Sequence, residues 1–218
     1  MSESNEKTPE TKQYFERMQL YYDSVKLMTL HRSLSSPIIT EKLRIFSDPY
    51  NADLAAFARK YYIESWLEEH RDDPVAKEIF EYAENMRSNN GDGDDKEDND
   101  SVSIIQGIIS PKSEKILFAI CADRFFMPEG DRYRTFQDNE LADFSIEGKK
   151  ALLTTTSSET ITIDLNEWED DDLKILEDTL TACKQYAKSY TEFIEKLKSC
   201  GFSSQEEFEQ WLKKEQGE

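Results

Sequence analysis

Four short runs between Val102 and Leu165 decide the fold of this chain: Ser103-Ile-Ile-Gln-Gly-Ile-Ile109, Lys115-Ile-Leu-Phe-Ala-Ile-Cys121, Ala151-Leu-Leu-Thr-Thr-Thr156 and Thr160-Ile-Thr-Ile-Asp-Leu165. They are rich in Ile, Leu, Phe and Thr, which favour extended backbone. Turn residues separate them, among them Ser110-Pro111 and Gly148. Short apolar runs bounded by turn residues are typical of antiparallel strands, so the sequence predicts a sheet in the middle of the chain.

Three more segments of this region also have the character of strands: Ala122–Met127, Arg132–Phe136 and Asn139–Glu147. Together the segments predict roughly six or seven short strands, a number typical of a small β-barrel or sandwich. Helical patterns lie before and after them. The sequence therefore predicts an α+β protein.

Residues 8–87 predict a small helical domain of four helices joined by short connections. Thr8-Pro9 and Asp73-Pro74 each combine a capping residue with a proline in the first helical turn. In the first helix, apolar residues recur every three or four positions and predict the face that packs on the core. These residues are Tyr14, Met18, Tyr21, Val25 and Met28, with Phe15 and Tyr22 widening the stripe.

Residues 88–101 predict a flexible acidic linker. Between Ser88 and Asp100 there is no apolar residue, and such a segment cannot bury enough surface to offset the entropy lost on ordering. A calcium-binding loop of the EF-hand type is the alternative. Counted from Asp92, however, the fifth position is Lys96 and the sixth is Glu97, where the loop needs an oxygen ligand and a glycine.

A long helix is predicted after the strands, from about Leu173 to Lys198, and Gly201 ends it. The acidic run before it belongs there, because the N-terminus of a helix carries partial positive charge. A capping box from Ser204 to Glu207 then predicts a terminal helix over residues 203–215.

Composition limits the possible partners. The 218 residues include 27 Lys+Arg and 46 Asp+Glu, a formal net charge of -19. Nucleic acid and anionic membranes are unfavourable ligands for such a chain, whereas a basic protein partner is favoured. The charge has the alternative role of keeping the protein soluble. Residues 1–6 have no basic or apolar run, so the sequence predicts no signal peptide and a cytoplasmic location.

The strand region and the long helix after it contain a series of six segments: Ile116-Leu-Phe-Ala-Ile120, Asp123-Arg-Phe-Phe126, Tyr133-Arg-Thr-Phe136, Lys149-Lys-Ala-Leu152, Thr160-Ile-Thr-Ile163 and the helix from Leu173. This series resembles the bacterial PH-like domains of the YokE type. The resemblance implies a PH-like antiparallel barrel over residues 102–199, closed at one end by the helix. It also implies a binding module, which the acidic charge directs toward a protein and away from a lipid headgroup.

Three features are predicted to contact a partner. Phe125 and Phe126 are neighbours in a strand, so one of them must leave the interior and be covered by the helical half, by a partner or by a second copy. The second feature is the acidic run before the long helix, and the third is an apolar face on the terminal helix. The predicted partner-binding residues are Phe125, Phe126, Glu167, Glu169, Asp170, Asp171, Asp172 and Trp211.

Reactive motifs are not found in the sequence. His31 and His70 each lie near the end of a helical pattern, where the dipole favours them. Asp72 and Asp73 form a carboxylate pair, which is typical of a solvated helix end. Cys121, Cys183 and Cys200 are far apart and form no metal-binding spacing. We therefore expect no catalytic residue, no cofactor site and no metal site.

The function that these observations favour is a non-catalytic, acidic, cytoplasmic adaptor that binds another protein through a PH-like domain. The alternative is an inhibitor or immunity-type protein whose acidic surface blocks a basic site or mimics nucleic acid. An adaptor should bind through apolar surface with weak salt dependence. Binding by an acidic inhibitor should weaken steeply with salt. The partner's identity and the oligomeric state are not determined by the sequence.

Overall fold

A computed structural model describes residues 9–47, 60–61, 63–89, 106–121, 124–129 and 132–216. Its helices are α1 (Pro9–Arg32), α2 (Ser36–Ser47), α3 (Ile63–Glu69), α4 (Pro74–Asn89), α5 (Asp170–Ser199) and α6 (Gln205–Gln216). Its strands are β1 (Gln106–Ile109), β2 (Ile116–Ile120), β3 (Arg124–Glu129), β4 (Arg132–Gln137), β5 (Leu141–Glu147), β6 (Lys150–Thr155) and β7 (Thr160–Asp164). None of these helices combines the length and apolar composition needed to cross a membrane.

The predicted acidic linker falls mostly outside the described residues. Its first two residues, Ser88 and Asn89, are the last residues of α4. Residues 48–59 of the predicted helical domain also lie outside them.

The strands form two antiparallel sheets. The first has the order β1-β2-β3-β4 and the second has the order β5-β6-β7. Within each sheet, strands that are consecutive in the chain pair with each other, and β3 approaches β7 where the two sheets meet. The α+β class, the antiparallel sheets and the C-terminal helix are confirmed. The barrel is not confirmed, because no ladder joins the two sheets among the described strands.

The main core lies between the two sheets and α5. Phe118, Phe125 and Phe136 of the first sheet are buried there, together with apolar residues of β6 and β7. Helix α5 contributes Leu176, Leu180 and further residues of one face. This arrangement agrees with the alternating burial of β6 and β7, whose other face carries exposed or half-buried residues.

The opposite face of the first sheet is also buried, because α3 and α4 cover it. Ile63, Leu67 and Ile79 pack there with Phe126 and Ile116. Every residue of β1 and β2 is buried as a result. The predicted division into a helical and a PH-like domain stays a prediction, but the described halves share their apolar clusters.

A third cluster joins the first helix to the end of the chain. Leu20 and Leu27 of α1 pack with Phe193 and Leu197 of α5 and with Phe208 of α6. The terminal helix is capped largely as predicted: the Ser204 hydroxyl accepts a hydrogen bond from the Glu207 backbone N–H. The Glu207 carboxylate reaches Ser203 and accepts from its backbone N–H at 2.7 Å.

The predicted inner face of α1 is largely wrong, although Tyr21 does pack against the third cluster. Leu20 and Leu27 are the buried apolar residues of this helix, whereas Tyr14, Val25 and Met28 are exposed. The physical reason is that apolar residues lie on almost every side of α1, so the spacing alone does not identify one face. Leu20 and Leu27 are the residues that pack against α5 and α6.

Gly107 allows α3 to approach the first sheet. A Cβ at this position would lie 2.0 Å from Ile63 Cδ1 and 2.2 Å from the Phe118 carbonyl oxygen. The second contact is with backbone, which cannot move away without disturbing the pairing of β1 and β2. The absence of a side chain is therefore a packing requirement at this position.

Gly107→Ala is expected to lower the free energy of unfolding by about 3 kcal/mol, since overpacking of a filled core costs this order of energy. Chemical denaturation followed by circular dichroism measures the change. Gly148→Ala is the matched control, because nothing lies within 4 Å of its Cβ position and only its φ of +60° opposes a side chain. The control should lose about 1 kcal/mol, and an equal loss in the two variants would contradict the packing role of Gly107.

Candidate protein-binding surfaces

Phe125 and Phe126 are not available to a partner, which corrects their predicted role. They point to opposite faces of β3, as neighbours in a strand must. Phe125 is buried in the main core and Phe126 is buried under α3 and α4. The sequence analysis named the helical half, a partner or a second copy as the cover of the outward ring. In the structure the chain's own helical half covers Phe126.

The acidic run before α5 is only partly free. The Glu167 carboxylate accepts a hydrogen bond from the Ser113 hydroxyl. Glu169 precedes the helix and pairs with Lys60 at 2.7 Å. Asp172 is fully buried, whereas Asp170 and Asp171 are exposed in the first turn. The surface charge of the run is thus smaller than the sequence predicts, because folding engages or buries three of its five carboxylates.

Lys60 and Asp172 form a buried ion pair that sequence reasoning missed. The Lys60 side chain is 14% exposed and that of Asp172 is 0% exposed. Lys60 Nζ lies 3.0 Å from Asp172 Oδ1, yet no described group makes a well-aligned hydrogen bond to either carboxylate oxygen. Charge, more than hydrogen-bond direction, holds this contact. No sequence signal connects two residues so far apart in the chain.

The pKa values of this group follow from burial and pairing. Burial raises the pKa of Asp172, and the nearby ammonium of Lys60 only partly opposes this. Burial disfavours the charge of Lys60, but its contacts with Glu169 and Asp172 outweigh that effect and raise its pKa. The hydrogen bond from Lys60 lowers the pKa of Glu169. Lys60 is therefore charged at neutral pH, and Asp172 is the residue of the group whose charged form is disfavoured by burial.

Trp211 packs back onto its own chain. Its ring lies 5.8 Å from the ring of Phe202 and 6.0 Å from that of Phe208, centroid to centroid. The Arg17 guanidinium lies 5.5 Å from the centre of the Trp211 ring. Trp211 remains half-buried, so its main contribution is to attach α6 to α1 and α5.

The histidines and cysteines serve packing in this structure. His31 Nε2 lies 2.8 Å from Asp138 Oδ2, which ties the end of α1 to the turn after β4. His70 stacks on Trp66 at 4.2 Å. Burial raises the pKa of the Cys183 thiol, which disfavours the reactive thiolate. Within the described ranges, no three His, Cys, Asp or Glu side chains lie close enough together to hold a metal ion.

A cleft of about 510 Å³ lies where α3 and α4 meet the ends of the strands. We call it the acidic cleft, and define it by the lining residues Trp66, Asp73, Tyr133, Asp164 and Glu167. Lys115 also lines it. Asp73 and Glu167 belong to acidic pairs or runs visible in the sequence, but nothing in the sequence brings them together.

The two aromatic rings of the acidic cleft are held in place. Trp66 Nε1–H donates a hydrogen bond to the Glu114 carbonyl oxygen at 2.7 Å. The Tyr133 hydroxyl donates to the Ile116 carbonyl oxygen. Burial, followed by the charges of Asp73 and Glu167, raises the pKa of Tyr133. Both carboxylates therefore lie near enough to the phenol to raise its pKa. Carboxylates outnumber ammonium groups among the described lining residues of the cleft.

Helix α1 presents a second surface, which we call the α1 apolar face. It consists of Tyr14, Phe15, Tyr22, Val25 and Met28, whose exposed fractions run from 38% to 58%. Exposed apolar groups on one helix are typical of contact surfaces for other proteins. Helix α1 contains four Lys+Arg and three Asp+Glu, so this surface lacks the strong negative charge of the whole chain.

Comparison of the chain with protein-family models, with curated proteins and with solved structures gives no significant match.

Lys60→Met is expected to lower the free energy of unfolding by about 3 kcal/mol near neutral pH, because it leaves the buried Asp172 carboxylate without its cation. Since burial raises the pKa of Asp172 in the folded state, the folded variant binds a proton more tightly than the unfolded chain. Its stability should therefore increase as the pH falls from about 7 toward about 5. Urea unfolding at both pH values measures this.

Lys184→Met is the matched control. It removes an ion pair with Asp143 in which both side chains are largely exposed. Exposed pairs contribute little, so this variant should unfold almost like the wild type. If Lys60→Met is equally neutral, or loses stability as the pH falls, the buried pair does not have the role assigned to it.

Proposed function

We propose that this chain is a non-catalytic adaptor with a PH-like core, and that it binds another protein through the α1 apolar face. The observation that carries the proposal is the row of five large apolar side chains left exposed on α1. Burying such residues against a partner removes apolar surface from water, which is the main favourable term in association. The proposed partner is a protein, because docking of an apolar helix face into an apolar groove is a recurrent mode of protein recognition.

The PH-like part of the proposal is supported by the order of the elements. A four-stranded antiparallel sheet is followed by a three-stranded one and then by the 30-residue helix α5. The proposed PH-like segment is residues 102–199, and α1 packs along its last helix, α5. The α1 apolar face thus lies on a helix that packs against the last helix of the proposed core.

The acidic inhibitor is less well supported than the adaptor. The acidic run at the start of α5 has Glu167 and Glu169 engaged within the chain and Asp172 buried. A surface that blocks a basic site needs its carboxylates free to meet the partner's cations. The α1 apolar face, with nearly balanced charges, favours association that depends only weakly on salt.

The test is affinity capture from a lysate of the source cells with the full chain as bait, at low and at high salt, followed by quantitative mass spectrometry. We expect the same protein to be captured at both salt concentrations. Tyr22→Gln/Met28→Gln should reduce its recovery about tenfold, because both side chains are more than half exposed on the α1 apolar face. Thermal unfolding of the variant checks that its fold is intact.

Lys12→Gln/Glu16→Gln is the matched control on the same helix. These residues form an exposed pair at 4.0 Å, and their joint replacement leaves the net charge unchanged. The control should capture the partner like the wild type. Capture that is lost at high salt but kept by Tyr22→Gln/Met28→Gln supports the inhibitor, and no specific capture by the wild type contradicts both functions.

A further inference from the structure

We propose that the acidic cleft is a separate binding site for an arginine side chain of a basic peptide segment. The site consists of other residues than the α1 apolar face, and the proposal does not depend on binding at that face. Its volume of about 510 Å³ lies within the range of small-ligand sites. Its concave volume and the two aromatic rings among its lining residues distinguish it from an acidic patch on the surface.

The aromatic walls suit a flat cation. Trp66 is fixed by its hydrogen bond to Glu114 and by stacking on His70, with an angle of 12° between the rings. Tyr133 is fixed by its bond to the Ile116 carbonyl oxygen. A cation that meets rings already held in position loses less of its binding energy to ordering them. Indole and phenol faces attract cations, and the planar guanidinium also stacks on them.

The charge of the cleft selects the sign of the ligand. Asp73, Asp164 and Glu167 line it, against the single ammonium of Lys115 among the described lining residues. Asp164 accepts a hydrogen bond from the Asn166 backbone N–H at 2.9 Å, and Glu167 accepts one from Ser113. These bonds orient the two carboxylates without neutralising them. An anion such as phosphate would meet repulsion from all three.

A guanidinium fits this set better than an ammonium does. It presents several N–H donors in one plane, which match carboxylates bidentately, and it is more weakly hydrated. Asp73 directly precedes α4, Asp164 ends β7 and Glu167 lies between β7 and α5, so the carboxylates line the cleft from separate segments of the chain. The net charge of -19 also steers a basic segment toward the molecule.

The test is a titration of the full, ¹⁵N-labelled chain with Nα-acetyl-arginine amide, followed by NMR. The Trp66 indole N–H is the reporter, because it lies in the cleft wall. We expect a saturable shift with a dissociation constant of about 1 mM, the strength expected of a single side chain. Nα-acetyl-citrulline amide, which has the same shape without the charge, should not shift this signal.

Asp164→Asn/Glu167→Gln is expected to weaken binding about tenfold, and Asp164→Asn alone by less. The single variant keeps the test decisive if the double variant does not fold. Glu177→Gln/Asp178→Asn removes the same charge from exposed positions on α5, outside the cleft, and should bind within about twofold of the wild type.

Four results would overturn the proposal. Equal binding of the citrulline amide would show that charge does not select the ligand. Tighter binding of Nα-acetyl-lysine amide, or a shift of Trp66 on addition of inorganic phosphate, would assign the cleft to a different ligand. Equal binding by the two double variants would place the site outside the cleft. None of these results bears on the α1 apolar face, which the capture experiment tests by itself.

Discussion

The alternation of side chains along β3 is the constraint on which the rest of the structure depends. Phe125 and Phe126 point to opposite faces of the first sheet, so both faces must be kept from water. The second sheet and α5 cover one face, and α3 and α4 cover the other. A sheet with two apolar faces does not persist in water with one of them bare, because burial of apolar surface is the dominant favourable term in folding. The N-terminal helices are thus part of what stabilises the strands.

The close approach of α3 depends on the same constraint. Gly107 leaves room for Ile63 against the backbone of β1 and β2, so that the helix lies directly on the sheet. Lys60 lies just before this helix and reaches Glu169 and Asp172 at the start of α5. The segment from Lys60 to the end of α3 therefore contacts the first sheet through apolar groups and the start of α5 through charge. It connects the helical half of the chain to α5.

The two proposed binding surfaces differ in their chemistry for a structural reason. The α1 apolar face arises because Leu20 and Leu27 pack against α5 and α6, which leaves the large apolar residues on the opposite side of α1 exposed. The acidic cleft arises because α3 and α4 meet the ends of the strands without filling the space between them. The first surface suits an apolar partner face, and the second suits a cation. If one partner binds both the α1 apolar face and the acidic cleft, the two linked contacts raise its affinity through effective concentration.

The sequence by itself determined the α+β class, the strand segments and the approximate ends of α1 and α5, because turn residues, capping residues and apolar spacing act locally. It also indicated that Phe125 and Phe126 need separate covers. Only the tertiary structure decided which cover each ring receives, which face of α1 packs, and that Asp172 is buried beside Lys60. The acidic cleft likewise joins residues from α3, α4, β4 and the end of β7, which are distant in the chain. Local patterns specify elements, whereas contacts between distant residues depend on how the surfaces of those elements fit together.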